Sequence, residues 1–310
     1  MILLVMVMPQ TQNSGQALEN RFSVGISLDG PKHVHDEYRL THQKKGSFDA
    51  VLRNVKMAKD AGLPVGVCMV LSRFSLLHLD EIFDFFQGEG LPLEVIPMTR
   101  SGAARDTFEE LGLEPDEYAV AWTHLYDRWM ALPKSQYFPV QDFVDRTRAV
   151  LYGAPTTCHS AANCSLNNIS VDPVGDVFPC SSLSGTEALN YGNLCDNSLE
   201  ELLASAAAAE VKNAAIDPHC ASCKWQHTCH GGCTARSYKF HNTVNKRDYY
   251  CPSLYAIFEH IETRLQERGV APGTVNPLHM TEGLEPGDIA DLQAPVKERG
   301  KLKNIPIIAI

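Results

Sequence analysis

Between residues 22 and 132 the apolar positions switch between two-residue spacing and stripes of helical spacing. Residues 22–28 form a short apolar run that stops at Asp29-Gly30-Pro31, a strong turn signal. Ser47 stands where a helix start favours a hydroxyl. Phe48, Val51, Leu52, Val55 and Ala58 then recur on one face up to Ala61, with Gly62 just beyond. Residues 64–71 read as the next strand, 76–86 as a helix and 93–98 as a third strand. This order predicts parallel strands joined by crossover helices, as in an open sheet or a barrel. Three strands are too few to close a barrel. Residues 115–132 and 141–151 carry amphipathic helical patterns that bridge to the next module.

After residue 151 the rhythm changes. Residues 168–171 and 176–178 flank Asp172-Pro173-Val174-Gly175, the pattern of a β-hairpin. Asn197 or Ser198 caps a helix expected to reach Lys212, and another follows Cys251-Pro252 to Glu267. The tail from Pro272, with scattered Pro, Gly and charge, reads as loose. The apolar run over residues 1–8 lacks a basic flank and a cleavage site, and is too short to span a bilayer. It reads as a buried strand or a frayed end.

Charge narrows the function. A formal net charge of −10 argues against a general nucleic-acid or membrane-surface binder, because phosphate-rich partners demand a basic face. The ten cysteines narrow it further. Only Cys68 precedes residue 150; the other nine lie between Cys158 and Cys251. Clustered pairs in a long chain hold metal more often than disulfides, and imply a reducing, cytoplasmic setting. Setting aside Cys68 and Cys195 leaves eight thiols: Cys158, Cys164, Cys180, Cys220, Cys223, Cys229, Cys233 and Cys251. Eight suffice for two four-thiolate sites. Such spacings suit structural zinc and iron–sulfur clusters alike, so spacing alone leaves the metal open. A disulfide-rich domain is a further alternative.

The order Cys164-x10-Gly175-x4-Cys180, then Cys220-x2-Cys223-x5-Cys229-x3-Cys233, then Cys251 resembles the SPASM domain of radical SAM maturases. Cys158 matches the additional upstream ligand of its fully ligated members. The resemblance implies two auxiliary [4Fe–4S] clusters. Cys158, Cys164, Cys180 and Cys233 would hold one; Cys220, Cys223, Cys229 and Cys251 the other. Upstream, Val24-Gly25-Ile26-Ser27-Leu28-Asp29-Gly30-Pro31, with His35-Asp36 and Arg39, resembles a mid-barrel strand of radical SAM enzymes related to anaerobic sulfatase maturases. It implies Ser27, Asp29 and Arg39 as contacts of S-adenosyl-L-methionine. The bland reading of Asp29 is a turn residue bonding backbone amides. Ser101-Gly102-Ala103 resembles a second SAM-proximal loop more weakly.

The implied fold is α/β: an atypical segment over 1–21, a partial (β/α) radical SAM barrel over 22–150, a SPASM domain over 151–268 and a loose tail over 269–310. The Cys-x3-Cys-x2-Cys loop that binds the SAM-cleaving cluster does not occur before Cys158, nor does a Gly-Gly-Glu segment. This chain alone therefore does not carry the usual route to the radical, and a missing N-terminal partner or an incomplete gene is implied. The implied activity is hydrogen abstraction from a peptide or protein substrate, followed by oxidation or cross-linking, with an electron donor as a further partner. Sulfatase maturases carry an Asp after the third auxiliary cysteine; here it is Ser181. A hydroxyl is a poor proton acceptor beside a carboxylate. Pro179-Cys180-Ser181-Ser182-Leu183 and Gly231-Gly232-Cys233-Thr234-Ala235-Arg236 sit closer to maturases of ribosomally made peptides, including cyclophane-forming ones. The alternatives are a sulfatase maturase, a non-catalytic iron–sulfur electron-transfer module and a zinc-stabilised scaffold. His219, His227 and His230 read as loop histidines beside cluster ligands, and Trp225 and Tyr249-Tyr250 as packing that excludes water.

Overall fold

Three strands, β1 (Val24–Ser27), β2 (Val65–Leu71) and β3 (Leu93–Pro97), run parallel in the order β1-β2-β3. This computed structural model describes residues 24–270 except 64, 162, 163 and 167. The readings for residues 1–21 and for the tail from 272 lie outside the described residues.

The connections are helical, as the apolar rhythm predicts. Helix α1 (Lys32–Tyr38) and α2 (Phe48–Asp60) join β1 to β2. Phe48, Val55 and Ala58 are buried along α2. Ser47 precedes that helix without capping it. Its hydroxyl instead donates to the Arg39 carbonyl at 2.7 Å and lies 3.0 Å from His35 Nε2.

The helix expected over 76–86 is two helices, α3 (Arg73–Leu76) and α4 (Leu79–Glu89). Ser72 and Ser75 form a reciprocal capping box that starts α3 early. The chain then turns at Leu77, 78% exposed, and His78. After β3, an unexpected helix α5 (Ala104–Leu111) leads into α6 (Pro115–Met130). Glu114 and Glu117 box the start of α6, and Pro115 occupies its first turn, where a missing N–H costs nothing.

Helix α7 (Gln141–Tyr152) departs from the amphipathic expectation, since Asp142 through Leu151 are all buried. Its charges pair along the helix itself, although the buried Arg146 Nη1 makes no hydrogen bond. Arg146 Nε lies 2.9 Å from both Asp142 oxygens, Trp122 Nε1 donates to Asp142 Oδ2 at 2.5 Å, and Arg148 faces Asp145 at 3.9 Å. Spacing alone could not show this, because a buried ion pair looks like a solvated face in the sequence.

The second module opens with β4 (Ser170–Val171) and β5 (Asp176–Phe178), the expected hairpin, joined by β6 (Gly192–Asn193). The helix expected to run from residue 198 to 212 is broken into α8 (Leu199–Leu203) and α9 (Ala206–Lys212). Ser205 accepts from Ala208 N and restarts the helix. Short α10 (Gln226–Cys229) and α11 (Thr234–His241) follow, then the long α12 (Cys251–Glu267).

Two cores result. The small one gathers Val177, Leu183, Leu189, Leu202 and Val211. The large one runs from the sheet through α6 and α7 into α12. Polar ties fix α12 there: Ser253 Oγ donates to the Pro115 carbonyl, and Arg264 and His260 both meet Asp127 at 2.7 Å. Among the described residues, no helix is long and apolar enough to cross a membrane.

Candidate functional site

Across a parallel sheet, residues in register point to the same side. Ile26, Val67 and Leu93 form a row toward the helices, where Val67 and Leu93 are buried. The opposite row is Ser27, Cys68 and Glu94. Cys68 is half-buried there, and burial pushes its thiol up to about 11, with Glu94 adding to the rise. Burial, with Cys233 and Glu94 also adding, raises the Cys158 thiol, although the residue as a whole is exposed. The polar sheet row therefore leads toward the cysteine-rich module. Glu94 had no signal in the sequence, because only strand register sets it beside Cys68.

At the carboxyl end of β1, Asp29 receives Arg39 Nε at 2.6 Å and Nη2 at 3.2 Å, and accepts the Val70 N–H at 3.0 Å. Asp29 N–H donates to His35 Nδ1 at 3.2 Å. Asp29 and Arg39 thus form one rigid polar rim, with Ser27 two residues earlier on the strand. The turn reading of Asp29 holds in part, since its carboxylate does bond a backbone amide, though one on the neighbouring strand. Ser101 lies in a turn closed by Ala104 N–H to its carbonyl.

The thiols fall into two groups. Burial lifts Cys164 to about 12, and Cys233, Cys158 and Cys180 add to the rise. Cys180 is held near 11 by burial and then by Cys233, while its sulfur accepts from the Leu183 and Ser182 amides. In the second group, burial and then Asp217 raise Cys220, with Cys223 adding. Burial lifts Cys229 to about 12, and Asp248 and Cys251 add. Burial lifts Cys251 to about 11, with Cys220 and Cys223 adding. Cys233, on the loop of the second group, belongs by proximity to the first.

The backbone enforces this crossing. His230, Gly231 and Gly232 have successive φ values of 49°, 89° and 83°. That left-handed run reverses the chain between Cys229 and Cys233, and two glycines make it cheap. Asp248 N–H donates to the Gly231 carbonyl at 2.8 Å, and Cys251 N–H to the Asp248 carbonyl at 3.0 Å. The fully buried Asp248 carboxylate takes Arg236 Nε at 2.8 and 2.9 Å, the Cys233 N–H at 2.9 Å and the Tyr250 N–H at 2.9 Å. One ion pair thereby ties Cys233 of one group to Cys251 of the other. Asp248 did not stand out in the sequence, and Arg236 did only as the last residue of the glycine-rich cysteine motif.

Gly232→Ala tests the turn. A Cβ there would stand 2.5 Å from Asp248 Cβ, on a backbone of positive φ. The expected cost is about 2 kcal/mol, read as a fall of several degrees in the thermal midpoint. An unchanged midpoint would mean that the turn relaxes freely.

Other residues near the thiols are structural ties. His230 Nδ1 lies 3.0 Å from the Ser160 carbonyl, joining the Cys229 turn to the Cys158 turn. His219 lends its N–H to Asp217. Trp225 is buried, packs on Phe258 at 5.5 Å and donates to Glu259 at 2.7 Å. Tyr250 is fully buried and donates to the Met98 carbonyl at 2.8 Å, whereas Tyr249 lies stacked on Phe240 at 3.9 Å.

All ten cysteines are free. Tetrahedral zinc, with Zn–S bonds of about 2.3 Å, would draw its four sulfurs to roughly 3.8 Å from one another. Among the described residues, no three cysteine sulfurs lie within 4.8 Å of one another. A four-iron cube spaces its thiolates more widely, because the iron–sulfide core lies between them. The all-thiolate donor set suits an iron–sulfur cluster.

Comparison with known proteins agrees. Residues 158–224 match SPASM, an iron-sulfur cluster-binding domain. The chain is 28% identical over 246 residues to a cysteine-type anaerobic sulfatase-maturating enzyme of Clostridium novyi, covering 78% of this chain and 65% of that protein. It is 26% identical over 227 residues to the mycofactocin maturase of Mycolicibacterium smegmatis, covering 72% and 55%. The chain thus spans about two thirds or less of these relatives' lengths. Its fold is similar to that of native anSMEcpe with bound AdoMet and Kp18Cys peptide, with a TM-score of 0.66 and 22% identity over 82% of this chain and 71% of that one.

Proposed function

We propose that this chain, a SPASM-domain relative of the radical SAM maturases, forms the sheet-and-cluster part of an enzyme that modifies a peptide or protein. The arrangement of eight thiols in two interleaved groups carries the reading. Cys158, Cys164, Cys180 and Cys233 hold one auxiliary [4Fe–4S] cluster in this proposal, and Cys220, Cys223, Cys229 and Cys251 the other. When bound, such clusters supply one-electron transfer. The protein's own work is to hold thiolates at fixed separation and to exclude water. The amide donors on Cys180 and the buried Arg236–Asp248 pair serve both ends.

Ser27 and the Asp29–Arg39 rim lie at and just beyond the carboxyl end of β1, where a parallel α/β sheet places ligands. This supports Ser27, Asp29 and Arg39 as contacts of S-adenosyl-L-methionine. A peptide substrate fits the relatives' names, and ten free thiols suit a reducing, cytoplasmic compartment.

The sulfatase-maturating reading is the second, favoured by the 28% identity to the Clostridium novyi enzyme. Ser181 weighs against it. It is exposed, immediately follows Cys180, and offers a hydroxyl where a carboxylate base is wanted. Ribosomally made peptides are therefore the preferred substrate class.

The test is anaerobic reconstitution with iron and sulfide, followed by iron, sulfide and zinc counts per chain. About eight irons with matching sulfide are expected, as two four-iron clusters require. Stoichiometric zinc on isolation, with no cluster uptake afterwards, would overturn the reading in favour of a scaffold.

A further inference from the structure

Away from the cysteines, three potential ligands meet on the outer side of the sheet. His33 lies in the first turn of α1, His78 immediately before α4, and Glu81 in the first turn of α4. His33 Nε2 is 3.1 Å from Glu81 Oε2, and His78 Nδ1 is 3.5 Å from Glu81 Oε1. The three ligand atoms all lie within 4.8 Å of one another.

We propose that His33, His78 and Glu81 form a binding site for one divalent first-row transition ion of the zinc or nickel class. Two imidazole nitrogens and one carboxylate oxygen are the donors such borderline ions select, whereas magnesium and calcium demand oxygen. A carboxylate in a first helical turn is common and by itself says nothing. Here, however, each oxygen of that carboxylate faces a different imidazole, and the two rings are already placed. They meet edge-on at 5.3 Å, and the His78 ring also rests on Phe74 at 5.0 Å. His78 Nδ1 is screened from solvent and makes no hydrogen bond, so the ion would supply the partner this nitrogen lacks. His33 and Glu81 are more than half exposed, which leaves an entry path and room for water ligands.

The site joins the helix after β1 to the helix after β2. Helix α1 carries His35, whose Nδ1 accepts the Asp29 N–H. A bound ion would therefore stiffen the Asp29–Arg39 rim from outside. A cavity of about 690 Å³ adjoins it, lined by His78, Glu81, Asp80, Asp116, Glu117 and His124. Its acidic wall favours cations near the site.

The test is calorimetric titration of tag-free, cluster-loaded protein with nickel(II) chloride, with iron counted afterwards so that cluster loss is seen separately. One saturable nickel per chain is expected. Its affinity should fall at least tenfold in His33→Ala and in Glu81→Gln, and be retained in His124→Gln, whose imidazole faces Asp80 in the adjoining cavity. Nickel should also raise the thermal midpoint of the parent by a few degrees and leave His33→Ala unmoved. No saturable uptake, or equal uptake by parent and His33→Ala, would overturn the site. Because His33 is exposed, that variant keeps its fold.

Discussion

Cys233→Ser is expected to lose about four irons per chain and to keep the other four. Cys251→Ser should lose the complementary set. The reason lies in the crossing. Cys233 sits on the same loop as Cys229, yet its sulfur neighbours are Cys158, Cys164 and Cys180. If ligation followed sequence order, Cys220, Cys223, Cys229 and Cys233 would share one cluster. Cys229→Ser and Cys233→Ser would then lose the same irons. Iron and sulfide counts on the Cys229→Ser/Cys233→Ser double variant separate the two schemes, since interleaved ligation leaves about none and sequential ligation about four. A double variant that keeps four irons would sink the interleaved assignment.

Asp248→Leu is expected to be the most damaging change that touches no thiol. Asp248 is fully buried and accepts from Arg236, the Cys233 amide and the Tyr250 amide. Removing it leaves the Arg236 guanidinium buried without its partner, and two amides lose their acceptor. Breaking a buried pair from one side costs about 3–5 kcal/mol. Iron should fall in both sets, because the pair joins the Cys233 loop to the Cys251 turn. The paired substitution Arg236→Met/Asp248→Leu removes both charges and should recover part of the loss. A thermal midpoint in Asp248→Leu equal to that of the parent would show that the pair carries no structural burden.

The thiols were the legible part of this molecule. Ligand loops crowd chemistry into a few positions, so the spacing over residues 158–251 points to metal while leaving its identity open. The alternating stripe from Val24 to Leu93 was legible too, since burial on one side of a strand or helix leaves a period. Boundaries failed where side chains bond their own backbone. Ser72, Ser75 and Ser205 each start a helix that apolar spacing cannot see. Helix α7 misled in the opposite way, its charges being internal pairs. Asp248, Glu94 and the His33–His78–Glu81 group stayed hidden for a common reason: each matters through a partner distant in sequence.

Helix α12 carries a consequence for the protein's life in air. It begins on a thiol of the second group and ends inside the large core, with Ile257 and Ile261 fully buried. Damage by oxygen at Cys251 would free the first turn and with it Tyr250 and Leu254, both otherwise covered. Oxidation would then be converted into exposed apolar chain, which proteases and chaperones recognise. On the proposed reading, a chain that has lost its clusters would be cleared.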